Sequence, residues 1–280
     1  MTNSKILLKE LVNQVNASYD RSEAEAIIYR LLENKVGLCR KDILSEANTT
    51  VTLEQFNESI ERINKHEPIQ YILNEEEFFG RKFYVDTSVL IPRPETEELV
   101  RQGIDLLPKQ NGLRILDIGT GSGCIPITLA LEIPIAQVFA TDISESALNV
   151  ARRNATSLNA KVEFLKHNIL LDKLPYLDID LIISNPPYIS QREKESMSKN
   201  VLAYEPHSAL FTGSEDVLIF YKAIAKQAVT KLKAGGYVAM EINERSGTET
   251  AAIFMNEWFS DVRIVKDINQ KDRFVIARKN

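Results

Sequence analysis

The fold is decided by one stretch, Leu113-Arg-Ile-Leu-Asp-Ile-Gly-Thr-Gly-Ser-Gly123, in which an apolar strand runs into a Gly-rich turn. Glycines allow positive φ angles and let the backbone approach a ligand closely. In an open α/β sheet, ligands bind beyond the carboxyl ends of the strands, where this turn falls. We therefore predict that the turn binds a ligand through Gly119, Thr120, Gly121, Ser122 and Gly123.

Strand and helix patterns alternate on both sides of this turn. Strands are predicted at 113–118, 136–141, 161–166, 179–184, 235–242, 261–266 and 273–278. Helices are predicted at 95–107, 123–131, 145–157, 215–232 and 247–257. The alternation favours an α/β domain over 95–280, a mostly parallel seven-stranded sheet with helices on both faces. No helix separates the last two strands, which favours an antiparallel hairpin at the sheet edge.

The first part of the chain, residues 1–66, is predicted to be a small helical bundle. Two capping boxes, Ser22-Glu-Ala-Glu25 and Thr52-Leu-Glu-Gln55, precede runs of apolar residues at helical spacing. Gly37 is a stop signal between them. The bundle is thus a second domain, in agreement with a length of 280 residues, which favours about two domains.

A β-hairpin linker is predicted between these domains, over residues 67–94. The segments 69–73 and 78–85 are rich in aromatic and β-branched residues, and Gly80 lies within the second. Both segments are therefore predicted to be extended.

Composition and charge restrict the function classes. The chain is 44% hydrophobic and 26% charged, as in ordinary soluble proteins, and no apolar run approaches the ~20 residues that span a membrane. Cys39 and Cys124 lie far apart, so neither a disulfide framework nor a metal site is predicted, and a reduced, cytoplasmic location is the default. A net charge of −5 argues against a long nucleic acid as partner and favours a protein or small molecule.

The Gly-rich turn departs from the dinucleotide fingerprint G-x-G-x-x-G. Gly123 comes one position early and Cys124 occupies the place of the third glycine, which counts against NAD. Asp117, just before the turn, is unfavourable near a pyrophosphate but suits a ligand that carries an ammonium group. S-adenosylmethionine has that ammonium, a carboxylate for the helix N-terminus, and no phosphates.

Two further positions complete the predicted cofactor site. Asp142 ends the next strand, roughly 20–25 residues after the turn, where an acidic residue accepts hydrogen bonds from ribose hydroxyls. The alternative makes Asp142 or Ser144 the cap of the following helix. Asn168 follows the third strand, where the adenine edge would lie, and an ordinary loop residue is the alternative there.

The acceptor site is predicted at Asn185-Pro186-Pro187-Tyr188, which ends an apolar strand. The prolines carry no N–H, so the turn presents carbonyl oxygens, and Asn185 adds an amide oxygen. Tyr188 supplies a flat face for a planar group. This arrangement suits an NH₂ group whose hydrogens are held while its nitrogen is methylated, although an ordinary Asn-Pro turn is the alternative.

Together, Asp117-Ile-Gly-Thr-Gly-Ser-Gly123, Asp142 and Asn185-Pro-Pro-Tyr188 resemble class I S-adenosylmethionine-dependent methyltransferases that act on planar nitrogen. Leu90-Ile-Pro-Arg-Pro-Glu-Thr-Glu97, Glu205-Pro206 and the helical N-terminal domain extend the resemblance to the release factor glutamine methyltransferases, the HemK/PrmC family. This resemblance covers essentially the whole chain. It implies a Rossmann-like fold and methyl transfer from S-adenosyl-L-methionine, with S-adenosyl-L-homocysteine as product.

The resemblance also implies a substrate and its contacts. The acceptor is the side-chain amide of the glutamine in the Gly-Gly-Gln loop of peptide chain release factors. It would be held at Asn185 to Tyr188, while Asn168 stands where relatives often carry Asp. The implied function is that of a protein-(glutamine) N-methyltransferase in translation termination. The alternatives are a glutamine of a ribosomal protein and an exocyclic amine of RNA or DNA.

Three further predictions concern the surroundings of this site. Asn185 and Pro186 are expected to act by accepting hydrogen bonds from the substrate NH₂, with no general base. Arg93 is a candidate for substrate binding or for an ion pair with a nearby Glu. The stretch 189–211 is predicted to be a long loop that acts as a lid, and residues 1–66 to dock the substrate.

Overall fold

The computed structural model describes residues 2–15 and 18–280. They divide into two compact units. The first unit is Met1–Glu75 with Ser198–Tyr204, and the second is Glu76–Met197 with Glu205–Asn280. The predicted linker, 67–94, therefore contributes residues to both.

The helices and strands are numbered in chain order and have the following bounds. The helices are α1 (Ser4–Gln14), α2 (Arg21–Val36), α3 (Arg40–Leu44), α4 (Asn57–Asn64), α5 (Ile69–Leu73), α6 (Pro94–Leu106), α7 (Cys124–Glu132), α8 (Glu145–Ser157), α9 (Lys199–Tyr204), α10 (His207–Leu210), α11 (Ile219–Lys231) and α12 (Gly247–Asn256). The strands are β1 (Thr2–Asn3), β2 (Asn48–Thr49), β3 (Glu76–Phe78), β4 (Arg81–Phe83), β5 (Arg114–Ile118), β6 (Gln137–Asp142), β7 (Val162–Lys166), β8 (Ile179–Ser184), β9 (Leu232–Glu241), β10 (Phe259–Lys266) and β11 (Asp272–Lys279). Two 3₁₀ helices span Leu53–Phe56 and Gln191–Ser196.

The first unit is helical around one apolar core, as predicted. The apolar stripes of α1 and α2 meet in that core with Phe56 and Ile60. One of its helix caps differs from the prediction, because the Asp20 side chain accepts from the Glu23 N–H at 2.8 Å and starts α2 ahead of Ser22. Gly37, with a φ of 71°, ends α2 as predicted.

The prediction that 69–73 is extended is wrong, since these residues form α5. Pro68 precedes the helix and Asn74 ends it in the left-handed conformation, with a φ of 53°. Tyr71 and Ile72 are buried, so packing overrides the β preference of these residues. The hairpin is confirmed further on, where β3 and β4 pair antiparallel around Gly80.

The second unit is built on a seven-stranded sheet in the order β10-β11-β9-β8-β5-β6-β7. The pairs β9–β8, β8–β5, β5–β6 and β6–β7 are parallel, and β11 is antiparallel to both of its neighbours. The predicted mostly parallel sheet with an antiparallel last strand is confirmed. The closing hairpin lies at the edge, with β11 as its inner strand.

Both faces of the sheet are covered by helices. Alternate residues of the central strands enter different cores: Leu116 and Ile182 pack with α11 and α12, whereas Ile115 and Leu181 pack with α6 and α7. The central strands β5 and β8 are buried almost throughout, as expected of parallel strands between two helical layers. Their carboxyl ends are the part of the sheet that carries the predicted site.

The stretch 189–211, which is predicted to be a long loop, contains short helices. They are the second 3₁₀ helix, α9 and α10. The two ends of the stretch are tied by backbone hydrogen bonds from Ile189 N to Leu210 O at 3.1 Å and from Thr212 N to Ile189 O at 3.2 Å. Within the described part of the chain, no helix has both the length and the apolar character that crossing a membrane requires.

Candidate functional site

A cavity of about 330 Å³ lies beyond the carboxyl ends of β5, β6, β7 and β8. Most of the residues predicted for the site line it together. They are Arg93, Gly119, Thr120, Gly121, Ser122, Asp142, Asn168, Asn185, Pro186 and Pro187. Gly123 and Tyr188 do not belong to this lining, and both lie close beside it in the sequence.

The Gly-rich turn is held almost entirely through its backbone. The N–H groups of Gly119 and Thr120 donate to the Thr141 carbonyl at 2.8 and 3.0 Å, which ties the turn to β6. Gly119 and Gly121 have φ angles of 78° and 53°, and an added Cβ at either would meet no atom within 4 Å. The positive φ requires glycine there, and the space above the turn is open toward the cavity.

Gly123 serves the packing of the helices instead. Its φ is 81°, and an added Cβ would lie 2.9 Å from Ile127 Cδ1 and 3.0 Å from Ala151 Cβ. Glycine at this position therefore lets the start of α7 pack against α8.

Asp142 fixes the turn from the end of β6. Its Oδ2 accepts from the Gly121 N–H and its Oδ1 from the Ser144 N–H, both at 2.9 Å. Burial raises the pKa of Asp142, while these hydrogen bonds act to lower it. Of the two residues named as alternative caps of α8, Ser144 is the cap, because its Oγ accepts from the Ala147 N–H at 3.2 Å. Each Asp142 oxygen keeps a lone pair for a further donor.

Asp117 lies at the end of β5 beneath the turn and is fully buried. Neither of its carboxylate oxygens has a hydrogen-bond partner among residues 2–15 and 18–280. Burial raises the pKa of Asp117 to about 7. An unpaired buried carboxyl group is costly, so its presence directly behind a ligand-binding turn favours a role toward a cationic ligand.

Asn168 and His167 follow β7 and both line the cavity. Asn168 Oδ1 accepts from the Leu170 N–H at 3.0 Å and so takes part in the local turn. His167 is only 7% exposed, and neither of its ring nitrogens has a partner in the described part of the chain. His167 is not among the residues predicted for the site, because a lone His gives no signal without its surroundings.

The Asn185 turn lines the cavity and carries two acceptors that have no donor among the described residues. Asn185 Nδ2 donates to Thr96 Oγ1 at 3.1 Å, which leaves its Oδ1 directed away from that contact. No N–H or O–H of the described residues donates to Asn185 Oδ1 or to the Pro186 carbonyl. The turn is anchored by Ser184, whose Oγ donates to the Ile118 carbonyl at 2.5 Å and joins the ends of β8 and β5.

Glu241, at the end of β9, lies behind this turn and is also buried. Its Oε2 accepts from Thr96 Oγ1 at 2.7 Å, and burial raises the pKa of Glu241 to about 7. Sequence reasoning missed both Thr96 and Glu241. The available signal was an acidic residue at the end of the apolar run Val238-Ala-Met-Glu241.

Tyr188 faces a neighbouring polar cavity of about 280 Å³, lined also by Glu193, Asn243 and Arg273. Its hydroxyl lies 3.5 Å from Glu241 Oε1, at the outer limit of a hydrogen bond. Burial raises the pKa of Tyr188 well above its ordinary value, with the nearby Glu241 adding to the shift. The tyrosine thus stays a neutral donor.

Arg93 forms an ion pair with Glu205, its Nη2 lying 2.5 Å from Glu205 Oε1. The other carboxylate oxygen of Glu205 accepts from the Ile91 N–H at 3.3 Å. The ion pair that was predicted as one of two alternatives is therefore present. It fixes the segment ahead of α6 along the cavity wall.

Comparison with known proteins first gives the class. Residues 103–215 match the family described as Methyltransferase small domain. The fold is similar to the crystal structure of a methyltransferase from Pyrococcus furiosus, with a TM-score of 0.55 and 20% identity over 80% of this chain and 99% of that one. The sheet with its Gly-rich turn and cavity is thus the fold of a class I methyltransferase.

The family follows from closer relatives. Residues 7–73 match the PrmC N-terminal domain. The release factor glutamine methyltransferase of Flavobacterium psychrophilum is 40% identical over 95% of both chains. That of Bacteroides thetaiotaomicron is 45% identical over 85% of this chain and 84% of the relative. The chain belongs to the release factor glutamine methyltransferase family.

Proposed function

We propose that this protein transfers a methyl group from S-adenosyl-L-methionine to a side-chain amide nitrogen, that of the glutamine in the Gly-Gly-Gln loop of peptide chain release factors. One observation carries the proposal: Asn185 Oδ1 and the Pro186 carbonyl are two unpaired acceptors on the cavity that the Gly-rich turn also lines. An NH₂ group has two hydrogens, and this pair of acceptors matches them. The names of the relatives support a glutamine as the acceptor.

The residues of the cavity fit the proposed cofactor. The open space above Gly119 and Gly121 accommodates the methionine part, and the start of α7 favours its carboxylate. The unpaired Asp117 carboxyl favours its ammonium group, and Asp142 has lone pairs left for ribose hydroxyls. When bound, the sulfonium supplies the electrophilic methyl group, and S-adenosyl-L-homocysteine is the product.

The Asn185 turn acts by orientation and charge stabilisation. A glutamine amide nitrogen is a poor nucleophile because its lone pair is delocalised into the carbonyl. Asn185 Oδ1 and the Pro186 carbonyl would each accept one N–H and direct the nitrogen at the methyl group, about 3–3.5 Å away. Both oxygens also stabilise the positive charge that grows on nitrogen during the transfer. The N-methylated, protonated amide is acidic enough to release its proton to water, so no general base is required.

The remaining site predictions belong to this proposal. Pro187 would border the glutamine site, Arg93 would hold the cavity wall through Glu205, and Asn168 would border the adenine. Tyr188 follows Pro187 in the chain and would act from the neighbouring cavity that it lines. We also assign residues 1–66 to substrate docking, 67–94 to a linker and 95–280 to methyl transfer. Since release factors work on the ribosome, the proposed location is the cytoplasm, with no membrane or nucleic-acid partner.

The test is to locate the transferred methyl group. The protein is incubated with isotopically labelled S-adenosylmethionine and either a release factor or the same factor with its loop glutamine replaced by alanine. We expect label on the glutamine of the first factor, by mass spectrometry of its peptides, and none on the second. Equal labelling of both factors would refute the proposal, as would label found only on ribosomal protein or RNA when whole ribosomes are added.

A further inference from the structure

A chain of three polar side chains runs from the cavity into the protein interior, and we refer to Asn185, Thr96 and Glu241 as the polar relay. Asn185 Nδ2 donates to Thr96 Oγ1 at 3.1 Å, and Thr96 Oγ1 donates to Glu241 Oε2 at 2.7 Å. The three residues come from the end of β8, the first turn of α6 and the end of β9. None of the chemistry described above uses Thr96 or Glu241.

The inner two members of the relay have almost no exposed surface. Thr96 lines the cavity but is only 3% exposed, and Glu241 is 2% exposed and does not line it. Each of their polar atoms therefore depends on the next one along the relay for a hydrogen bond. A buried polar network of this kind is costly if any member loses its partner.

The direction of the relay follows from its inner end. A carboxylate has no proton and only accepts, so the single Thr96 hydroxyl proton points at Glu241. The Thr96 oxygen then has only lone pairs to offer Asn185, which has to present its NH₂ group to them. The Asn185 oxygen is left for the cavity. A single ionised group thus decides which end of a nearly symmetrical amide faces the substrate.

We propose that Glu241 and Thr96 are positioning residues that fix the orientation of the Asn185 amide, so that its oxygen and not its NH₂ faces the acceptor. The inference rests on the proposed function, because it matters only if the acceptor is itself an NH₂ group. With the Asn185 amide reversed, two NH₂ groups would face each other. The substrate would lose one acceptor and meet a donor in its place.

Replacing Glu241 by Gln keeps the shape of the side chain but removes the carboxylate that fixes the direction of the hydrogen bonds in the relay. The Gln amide can donate to Thr96, whose proton is then free to point at Asn185 and hold the reversed amide. Thr96→Val removes the middle of the relay at nearly constant volume, whereas Thr96→Ser keeps the hydroxyl. Glu241 does not line the cavity, and Thr96 lines it with only 3% of its surface exposed, so we expect the effects of both substitutions to pass through Asn185.

Protonation of Glu241 has the same consequence as its replacement by Gln. The charged and titratable groups near its carboxyl group are Arg273 from β11, Glu95 from α6 and Tyr188 after β8, while Tyr221 from α11 donates to its backbone carbonyl. Burial raises the pKa of Glu241 and Arg273 counteracts the shift. The carboxylate, and with it the productive amide orientation, is therefore present at higher pH and lost as pH falls through about 7.

The experiment measures kcat, the KM for a release factor and the Kd for S-adenosylhomocysteine across pH 5.5 to 8.5. The proteins are the wild type and the Glu241→Gln, Thr96→Val and Thr96→Ser variants. We expect the first two variants to lose about 10- to 100-fold in kcat, as an active-site misplacement does, with cofactor Kd changed less than about threefold. Thr96→Ser should recover most of the wild-type kcat. The acid limb of the wild-type profile should disappear in Glu241→Gln.

Three results would overturn the proposal that Glu241 and Thr96 orient the Asn185 amide. They are wild-type kcat in both Glu241→Gln and Thr96→Val, losses in cofactor affinity that match the losses in kcat, or a kcat of Thr96→Ser as low as that of Thr96→Val. Thr96→Ser keeps the hydroxyl group, so its comparison with Thr96→Val decides the question even if Glu241→Gln prevents folding. Failure of the proposed function is distinguishable, because the wild type would then methylate no release-factor glutamine at any pH.

Discussion

The two ends of the cavity are built by different means. The Gly-rich turn is fixed by its own backbone, through positive φ angles and N–H groups that donate to Thr141 and Asp142. The Asn185 turn is fixed by side chains, through Thr96 and Glu241, which lie far from it and from each other along the chain. A turn that grips a cofactor can be specified locally. A turn that has to orient one side-chain amide requires hydrogen-bond partners from elements that are distant in the chain.

The largest effect is expected from breaking the acceptor end directly. Asn185→Ala removes one of the two acceptors that, in the proposed function, stabilise charge on the reacting nitrogen. Loss of one such preorganised group lowers kcat by about 10²- to 10³-fold. The Kd for S-adenosylmethionine should change much less, because in the proposed function the Gly-rich turn holds the cofactor.

Steady-state kinetics and calorimetric titration of the variant check this expectation. Asn256→Ala, at the exposed end of α12, is the matched control and should retain wild-type kcat. Equal losses in kcat and in cofactor affinity in the Asn185 variant would contradict the division between the two ends.

A smaller effect, on stability, is expected from the backbone-built end. Gly123→Ala adds a Cβ that meets Ile127 Cδ1 at 2.9 Å and Ala151 Cβ at 3.0 Å, at a φ of 81°. Strain and overpacking together should lower the free energy of unfolding by about 2–4 kcal/mol. Urea denaturation followed by circular dichroism measures it.

The control for this variant isolates the cost of the backbone angle. Gly112→Ala has nearly the same φ, 78°, but its Cβ would meet nothing within 4 Å. It should lose only about 1 kcal/mol. Equal losses at both glycines would mean that the packing of α7 against α8 does not require Gly123.

The smallest effect concerns the buried carboxyl group behind the Gly-rich turn. Burial raises the pKa of Asp117 from 3.8 to about 7, so the folded protein holds a proton that the unfolded chain has lost between these values. Stability falls with rising pH wherever the folded state binds more protons. Asp117→Asn should therefore reduce this decline by about 1 kcal/mol per pH unit between pH 5 and 6.5.

Urea midpoints measured across that pH range test the assignment. Asp178→Asn, which removes an exposed carboxyl group ahead of β8, is the control and should leave the slope as in the wild type. An unchanged slope in the Asp117 variant would show that this group does not hold the proton.

The same contrast explains how much the sequence alone could predict. The Gly-rich turn, Asp142 and the Asn185 turn could be singled out from the sequence because each is a local pattern at the end of an apolar strand, and the structure brings them to one cavity. The sheet was predicted for the same reason, with strand ends correct to within a few residues. Local signals failed where packing competed with propensity, as at 69–73, whose β-branched residues form a helix between Pro68 and Asn74.

The contacts of Thr96 and Glu241 behind the site could not be predicted from local sequence patterns. Thr96 looks like any first-turn helix residue and Glu241 like any polar strand end. Their meaning comes from a sheet order that places β8 beside β9 and packs α6 against β9. His167 is a similar case, since its burial against the cavity depends on how the chain after β7 folds back.

The position of the short helix α9 limits how chimeras of these enzymes can be made. It belongs to the first unit although 122 residues of the second unit, Glu76–Met197, precede it in the chain. Its Tyr204 hydroxyl donates to the Lys65 carbonyl at 2.8 Å. A chimera that exchanges only the N-terminal segment would therefore combine, within the first unit, a segment from one enzyme with the α9 segment of another. Exchanging both pieces together keeps that unit intact.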